Sequence, residues 1–252
     1  ENTLVITTSV SGNTKETLTI LEKSKTSKAR FVAIASGGEL KKYAINNKIE
    51  YLEIPEVHSP RASLVKFLYS SLNVFQNSLP IDKIDILESI SMLEKTREKI
   101  NSSNLHNENP ALSLAQWITN IPALYYPHGL EAATIRFKNS LQENAKMHVI
   151  TEDIIETCHN GVVPWQNNNS AKPILIRGYD DYIKTKERWE ILKEYFDKND
   201  IEYYELFSVK GNILSKIINL IYQLDYASIY HALLNHIDPS PINAIDFIKS
   251  KL

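Results

Sequence analysis

Residues 7–17 read Thr-Thr-Ser-Val-Ser-Gly-Asn-Thr-Lys-Glu-Thr, so the hydroxyls of Ser9, Ser11 and Thr14 bracket Gly12. Gly12 lets the backbone turn tightly and expose N–H groups, and a helix starting there aims its positive end at the turn. Both features favour an anion, phosphate above all. The same residue types are what a helix cap requires, so the segment reads equally as a phosphate cradle or a capped turn. Ser36-Gly37-Gly38-Glu39 is a second turn of this kind, in which Ser36 offers a donor to a sugar or phosphate; such turns also occur without ligands. Arg61, in His58-Ser59-Pro60-Arg61, is expected to open a helix, where a cation opposes the dipole unless it meets an anion. Its guanidinium suits a bidentate grip on phosphate oxygens, against the plainer reading of a solvated surface arginine.

The second half supplies proton chemistry. Glu143, in Gln142-Glu143-Asn144, falls at the end of an expected helix, past the apolar stripe Ala133, Phe137 and Leu141. A carboxylate is disfavoured near a helix C-terminus, which suits a group that takes up a proton as a general base. Further on comes Glu156-Thr157-Cys158-His159-Asn160-Gly161, where His159 can stand at the rim of a cleft. Surface solvation is the plain alternative for both residues. The remaining histidines show no ligand spacing with carboxylates or Cys158; His231 and His236 are five apart and lie on different faces of a helix. No metal site is expected.

Composition narrows the classes. Lys plus Arg number 28 against 30 Asp plus Glu, so no basic field argues for nucleic acid or an anionic membrane. No apolar run reaches the length of a spanning helix, and no signal-peptide pattern opens the sequence. A single cysteine, Cys158, excludes an intrachain disulfide and fits a reducing, cytoplasmic setting. The sequence opens at Glu1 almost directly on a strand, and a missing N-terminal part is the expectation.

The elements that must position these groups alternate. Strands are expected at 4–8, 31–36 and 51–54, with helices at 14–25, 38–44 and 60–75. Residues 81–100 read as helix, followed by an Asn/Ser/His-rich stretch ending at Pro110, taken together as a linker. Strands then fall at 121–126, 173–177 and 203–207, with helices at 130–144, 185–198, 212–235 and 241–251. Strands separated by helices of this length imply right-handed crossovers and parallel sheets. The expected organisation is an N-terminal α/β domain at 1–77, a linker at 78–110 and a C-terminal α/β domain at 111–252. Such sheets bind ligands at the carboxyl ends of their strands.

Ser-x-Ser-Gly-Asn-Thr-x-Glu-Thr, then Ser-Gly-Gly, then Ser-Pro-Arg resembles the signature of sugar isomerase (SIS) domains. Gln-Glu-Asn-Ala-Lys (142–146), Glu-x-x-His-Asn (156–160) and Asp-Pro-Ser-Pro (238–241) extend it toward the bifunctional phosphoglucose/phosphomannose isomerases. The resemblance runs from Leu4 to Lys249 and implies two tandem SIS-type domains, each a mainly parallel sheet flanked by helices. It implies interconversion of glucose or mannose 6-phosphate with fructose 6-phosphate through a cis-enediolate, without a cofactor. Ser9, Ser11 and Thr14 match the hydroxyls that hold the phosphate, and Arg61 the arginine that stabilises the enediolate. Glu143 matches the base. His159 matches a ring-opening histidine given by the neighbouring subunit of a homodimer. Ser240 matches a hydroxyl tied to acceptance of mannose phosphate, and Lys249 lies close to a second ring-opening group. The family's first strand and Gly-Gly-Ser loop have no counterpart here, and Val10 replaces a usual aromatic. A non-catalytic sugar-phosphate binder, or an isomerase of another sugar phosphate, are the competing expectations.

Overall fold

The computed structural model describes residues 3–106, 108–167 and 170–251. Glu1, and Asn107 within the expected linker, lie outside them. The chain divides into two compact units, Glu1–Ile81 and Asp82–Leu252. Both are α/β, built on parallel sheets flanked by helices.

The first unit alternates β1 (Leu4–Ser9), α1 (Lys15–Lys23), β2 (Arg30–Ala35), α2 (Gly38–Asn46) and β3 (Glu50–Glu53), then α3 (Leu64–Phe75). The sheet is wholly parallel in the order β1-β2-β3. The central strand β2 is apolar on both faces, as a covered parallel strand must be. Ala33 and Ala35 pack with Leu21, Leu40 and Ala44 beneath α1 and α2. Val32 and Ile34, one residue out of phase, pack with Ile54, Phe67 and Phe75 beneath α3. Val10, partly buried, packs against that second cluster. The sequence placed one helix over 60–75. A 3-10 turn, Arg61–Ser63, precedes α3 instead, and Ser63 is buried with its hydroxyl on the Ser59 carbonyl at 2.9 Å.

The second unit opens with α4 (Lys83–Ile100) and α5 (Pro110–Trp117), both within the stretch read as linker or just beyond it. α4 is anchored on a long helix, α9 (Ile213–Leu234): Asn212 donates to the Asp85 carbonyl at 3.2 Å, and Asn219 donates to the Thr96 hydroxyl. The remaining elements are β4 (Ile121–Tyr126), α6 (Glu131–Ala145), β5 (Ile150–Asp153), a short turn α7 (Ile154–Glu156), β6 (Ala171–Arg177), α8 (Ile183–Lys198), β7 (Tyr204–Phe207) and α10 (Asn243–Lys249). Their sheet is parallel in the order β5-β4-β6-β7. Ala123, Tyr125 and Leu175 meet Ile154, Trp189, Leu192 and Phe196 under α8. α9 packs against α4, α5 and α6.

Several helices end in one way. α2, α4, α8 and α9 stop at Asn47, Asn101, Asn199 and Asn235, whose side-chain amides donate to the carbonyls of Tyr43, Arg97, Tyr195 and His231 at 2.7–2.8 Å. Each amide adds a second donor to a last-turn carbonyl, and in three of them, Tyr43, Arg97 and His231, that carbonyl also accepts the backbone N–H of the same asparagine. α6 ends differently, on Lys146 in the left-handed conformation. Among the described residues no helix is long and apolar enough to cross a membrane.

Candidate functional site

In the first unit, Ser9, Ser11, Thr14 and Ser36 gather at the carboxyl ends of β1 and β2. Ser9 is buried, and its Oγ lies 2.8 Å from the Thr14 hydroxyl and 3.1 Å from the Gly12 N–H that donates to it. Thr14 occupies the N-cap position of α1, yet its side chain makes no capping bond to the first turn. The capped-turn reading therefore fails for this hydroxyl, and the opening N–H groups of α1 have no side-chain cap. The Ser36 hydroxyl donates to the Val10 carbonyl at 2.5 Å, tying the two turns together. Asn13 extends the tie by accepting from the Glu39 N–H at 3.0 Å.

Two glycines make this approach feasible. Gly12 (φ +71°) faces Gly37 so closely that a Cβ on it would lie 1.9 Å from the Gly37 carbonyl oxygen. Gly38 (φ +67°) faces the Ser11 carbonyl in the same way, at 2.5 Å. Arg61 lies in the same unit, half-buried in the 3-10 turn ahead of α3.

In the second unit, Glu143 sits half-buried in the last turn of α6, as the sequence predicts. It borders a cleft of about 660 Å³ lined also by Asn139, Met147 and His148 and by residues 241–245. The Lys146 ammonium donates to the Glu143 carbonyl at 2.5 Å and to the Pro239 carbonyl at 3.4 Å, so the end of α6 meets the segment carrying Ser240. Ser240 donates its N–H to the Asp238 carboxylate at 2.8 Å, and that bond, with one from its hydroxyl, holds Asp238 below the usual carboxylate range. Lys249 is the last residue of α10 and is exposed. Behind Glu143, α6 is fastened to α9 by a polar seam. Asp225 accepts from Arg136 at 2.9 Å and from the Ser140 hydroxyl at 2.6 Å, while buried Asn144 donates to the Ser228 hydroxyl at 2.8 Å.

His159 is exposed on a π-helical turn, Thr157–Gly161, that follows β5 and α7. The turn is well built: Asp153 accepts from the Ile155 N–H at 2.9 Å, and the Thr157 hydroxyl donates to the Asp153 carbonyl at 2.8 Å. Burial raises the Cys158 thiol, so it is a poor nucleophile. His231, by contrast, is buried with Nδ1 2.9 Å from the Ala115 carbonyl, a structural histidine. No group of three or more His, Cys, Asp or Glu able to hold a metal occurs among the described residues.

Residues 107–252 match the model of the bacterial phospho-glucose isomerase C-terminal SIS domain. Over 259 residues the chain is 30% identical to a bifunctional phosphoglucose/phosphomannose isomerase of Caldicellulosiruptor bescii, covering 99% of this chain and 76% of that protein. This chain belongs to the bifunctional phosphoglucose/phosphomannose isomerase family. An Aquifex aeolicus relative of the same name is 27% identical, with 99% and 76% covered. The fold is shared with a glucose-6-phosphate isomerase-like protein of Thermus thermophilus: TM-score 0.68, 16% identity, 94% of this chain and 73% of that one covered.

Two features of this family member lie outside the site residues that the sequence nominates. Glu152, at the end of β5, has its carboxyl raised chiefly by burial, and a Cβ on Gly161 would lie 1.8 Å from its Oε2. The glycine closing Glu-x-x-His-Asn-Gly was therefore a usable signal for a carboxylate packed against that turn. Lys146 closes Gln-Glu-Asn-Ala-Lys, but no spacing rule marks a residue whose backbone conformation gives it its direction.

Proposed function

We propose that this chain interconverts glucose 6-phosphate and mannose 6-phosphate with fructose 6-phosphate through a cis-enediolate, its two units being tandem SIS-type domains. The observation that carries the reading is the double engagement of the first-unit loop. Its hydroxyls converge on the start of α1, and Thr14 leaves that helix without a side-chain cap. A phosphate satisfies those N–H groups and the dipole together. Ser9, Ser11, Thr14 and Ser36 hold the phosphate, and this remote binding orients the sugar.

The chemistry then requires ring opening, removal of a proton beside the carbonyl, and its return to the neighbouring carbon. Both carbons of a cis-enediol present the same face, so one carboxylate, Glu143, serves both. Arg61 stabilises the enediolate, where a preorganised cation contributes most. His159 and Lys249 move the ring-opening protons, and Ser240 contacts the hydroxyl at the epimeric carbon. His159 is exposed on a hydrogen-bonded turn, which fits donation to a neighbouring subunit of a homodimer. The setting proposed is the cytoplasm, where hexose 6-phosphates are held.

Incubation with fructose 6-phosphate should yield both glucose 6-phosphate and mannose 6-phosphate. Glu143→Gln keeps shape while removing the proton acceptor, so turnover should fall about a hundredfold to ten-thousandfold with binding little changed. It should also abolish exchange of the C2 proton of glucose 6-phosphate with solvent deuterium. Wild-type exchange in that variant would overturn the assignment. Binding without turnover by the wild-type protein would favour a sugar-phosphate sensor, and turnover of another sugar phosphate alone would move the reading to a different SIS isomerase.

A further inference from the structure

We infer that Lys146 is a positioning residue whose ammonium straps residues 238–241 to the end of α6 that carries Glu143. The inference rests on the reading of Glu143 as the base. Where α2, α4, α8 and α9 are closed by a neutral asparagine amide, α6 is closed by a lysine. Lys146 takes φ 56° and ψ 34°, a conformation usually left to glycine at this position. That strained backbone turns the side chain back along α6.

The ammonium then bridges two segments of chain. It donates to the Glu143 carbonyl at 2.5 Å and to the Pro239 carbonyl at 3.4 Å, joining residues 93 positions apart. An asparagine amide spanning one helical turn closes a helix but reaches no second segment. The charge also suits the place, since the C-terminal carbonyls of α6 carry the negative end of its dipole. Asp238, drawn further below the carboxylate range by the same cation, adds a second attraction across the bridge. Both segments border one cleft, with Glu143 and Lys146 on one side and residues 241–245 on the other. Nothing else in the hydrogen bonds described for α10 fastens it to α6, and all its residues are exposed.

Two substitutions separate this role from simple helix closure. Lys146→Gly removes the ammonium and relieves the left-handed strain, so the fold should be at least as resistant to heat as the wild type. Lys146→Met keeps the strain and the stem but loses the charge, so it should melt lower. If the strap positions the cleft, both variants lose kcat by about tenfold to a hundredfold, the order expected from a misplacement near 1 Å. KM for fructose 6-phosphate should stay within about threefold, because the phosphate is held elsewhere. The ratio of turnover with glucose 6-phosphate to that with mannose 6-phosphate should shift in both. A lysine that only closes the helix predicts that kcat tracks melting, with Lys146→Gly fully active, and that result would overturn the inference. Glu143→Gln in the same assay separates the two ideas. Intact turnover in it sinks the base and the strap together, whereas its inactivity beside wild-type kcat in both Lys146 variants sinks the strap alone.

Discussion

Gly12→Ala tests the loop that the proposed phosphate site depends on. The new Cβ would lie 1.9 Å from the Gly37 carbonyl oxygen and 2.8 Å from its carbon, both backbone atoms that no rotamer change can move. Contacts under 3.0 Å are essentially never seen, so the two turns must part by at least 3.0 − 1.9 = 1.1 Å. That displacement strains the bonds stitching them together: Leu40 N–H to the Gly12 carbonyl at 2.8 Å, Ser36 Oγ to the Val10 carbonyl at 2.5 Å, and Glu39 N–H to Asn13 at 3.0 Å. Alanine at φ +71° adds about 1–2 kcal/mol, and each hydrogen bond lost adds about 1 kcal/mol. With one or two bonds broken, the total is about 2–4 kcal/mol, a large share of a small unit's stability. The loss should be local. All three tryptophans, Trp117, Trp165 and Trp189, lie in the second unit, so their fluorescence reports that unit alone. Amide exchange across β1, β2 and α2 should accelerate while the tryptophan transition stays put, and fructose 6-phosphate affinity should fall sharply by calorimetry. Wild-type exchange in β1 and β2 together with unchanged affinity would refute the argument from the glycine contact.

Removing two phosphate hydroxyls in Ser11→Ala/Thr14→Ala should weaken fructose 6-phosphate binding strongly, whereas Arg61→Ala should depress kcat more than binding; titration and steady-state kinetics distinguish the two. Mixing Glu143→Gln with His159→Ala subunits should restore activity in heterodimers if His159 acts across subunits, and verified exchange without recovery would place it within its own chain. Glu152 has its carboxyl raised above 4.5 by burial, so folding favours its protonated form, and its cost to stability grows as pH rises through the shifted value. Glu152→Gln should therefore gain stability over the wild type above that region and match it below pH 4, as read from denaturation midpoints across pH.

Much of the frame was legible because strand burial and helix length leave marks in sequence. Phe31–Ala35 is apolar without interruption, and a strand covered on both faces must be. What stayed hidden lacked such marks. β5, Ile-Thr-Glu-Asp, is a four-residue edge strand with no fully buried side chain, and only its pairing with β4 makes it a strand. α5 was lost because Asn-Pro serves turns and helix starts alike; here Asn109 is wholly buried and accepts from Ala111 and Leu112 as the cap, with Pro110 in the first turn. α4 reads as a linker because its hydrophobic pattern is weak, and polar contacts such as Asn219 with Thr96 hold it. At the site, residue types and order sufficed to nominate Ser9, Ser11, Thr14 and Glu143. The bond that occupies the Thr14 hydroxyl with Ser9, and the direction of Lys146, follow from backbone angles that composition does not encode.

The seam between α6 and α9 bears on how a substrate could enter. Arg136 and Ser140 share Asp225, and Asn144 meets Ser228, so α6 has one register against α9 in which its buried polar groups are all answered. Sliding α6 by one turn, about 5.4 Å, would strand several of them at once. The helix bearing Glu143 is thus indexed like a keyed shaft and cannot gate the cleft by ratcheting. The freedom that admission requires falls to the side with no such key, residues 238–249, which meet the end of α6 at the long contact from Lys146 to Pro239.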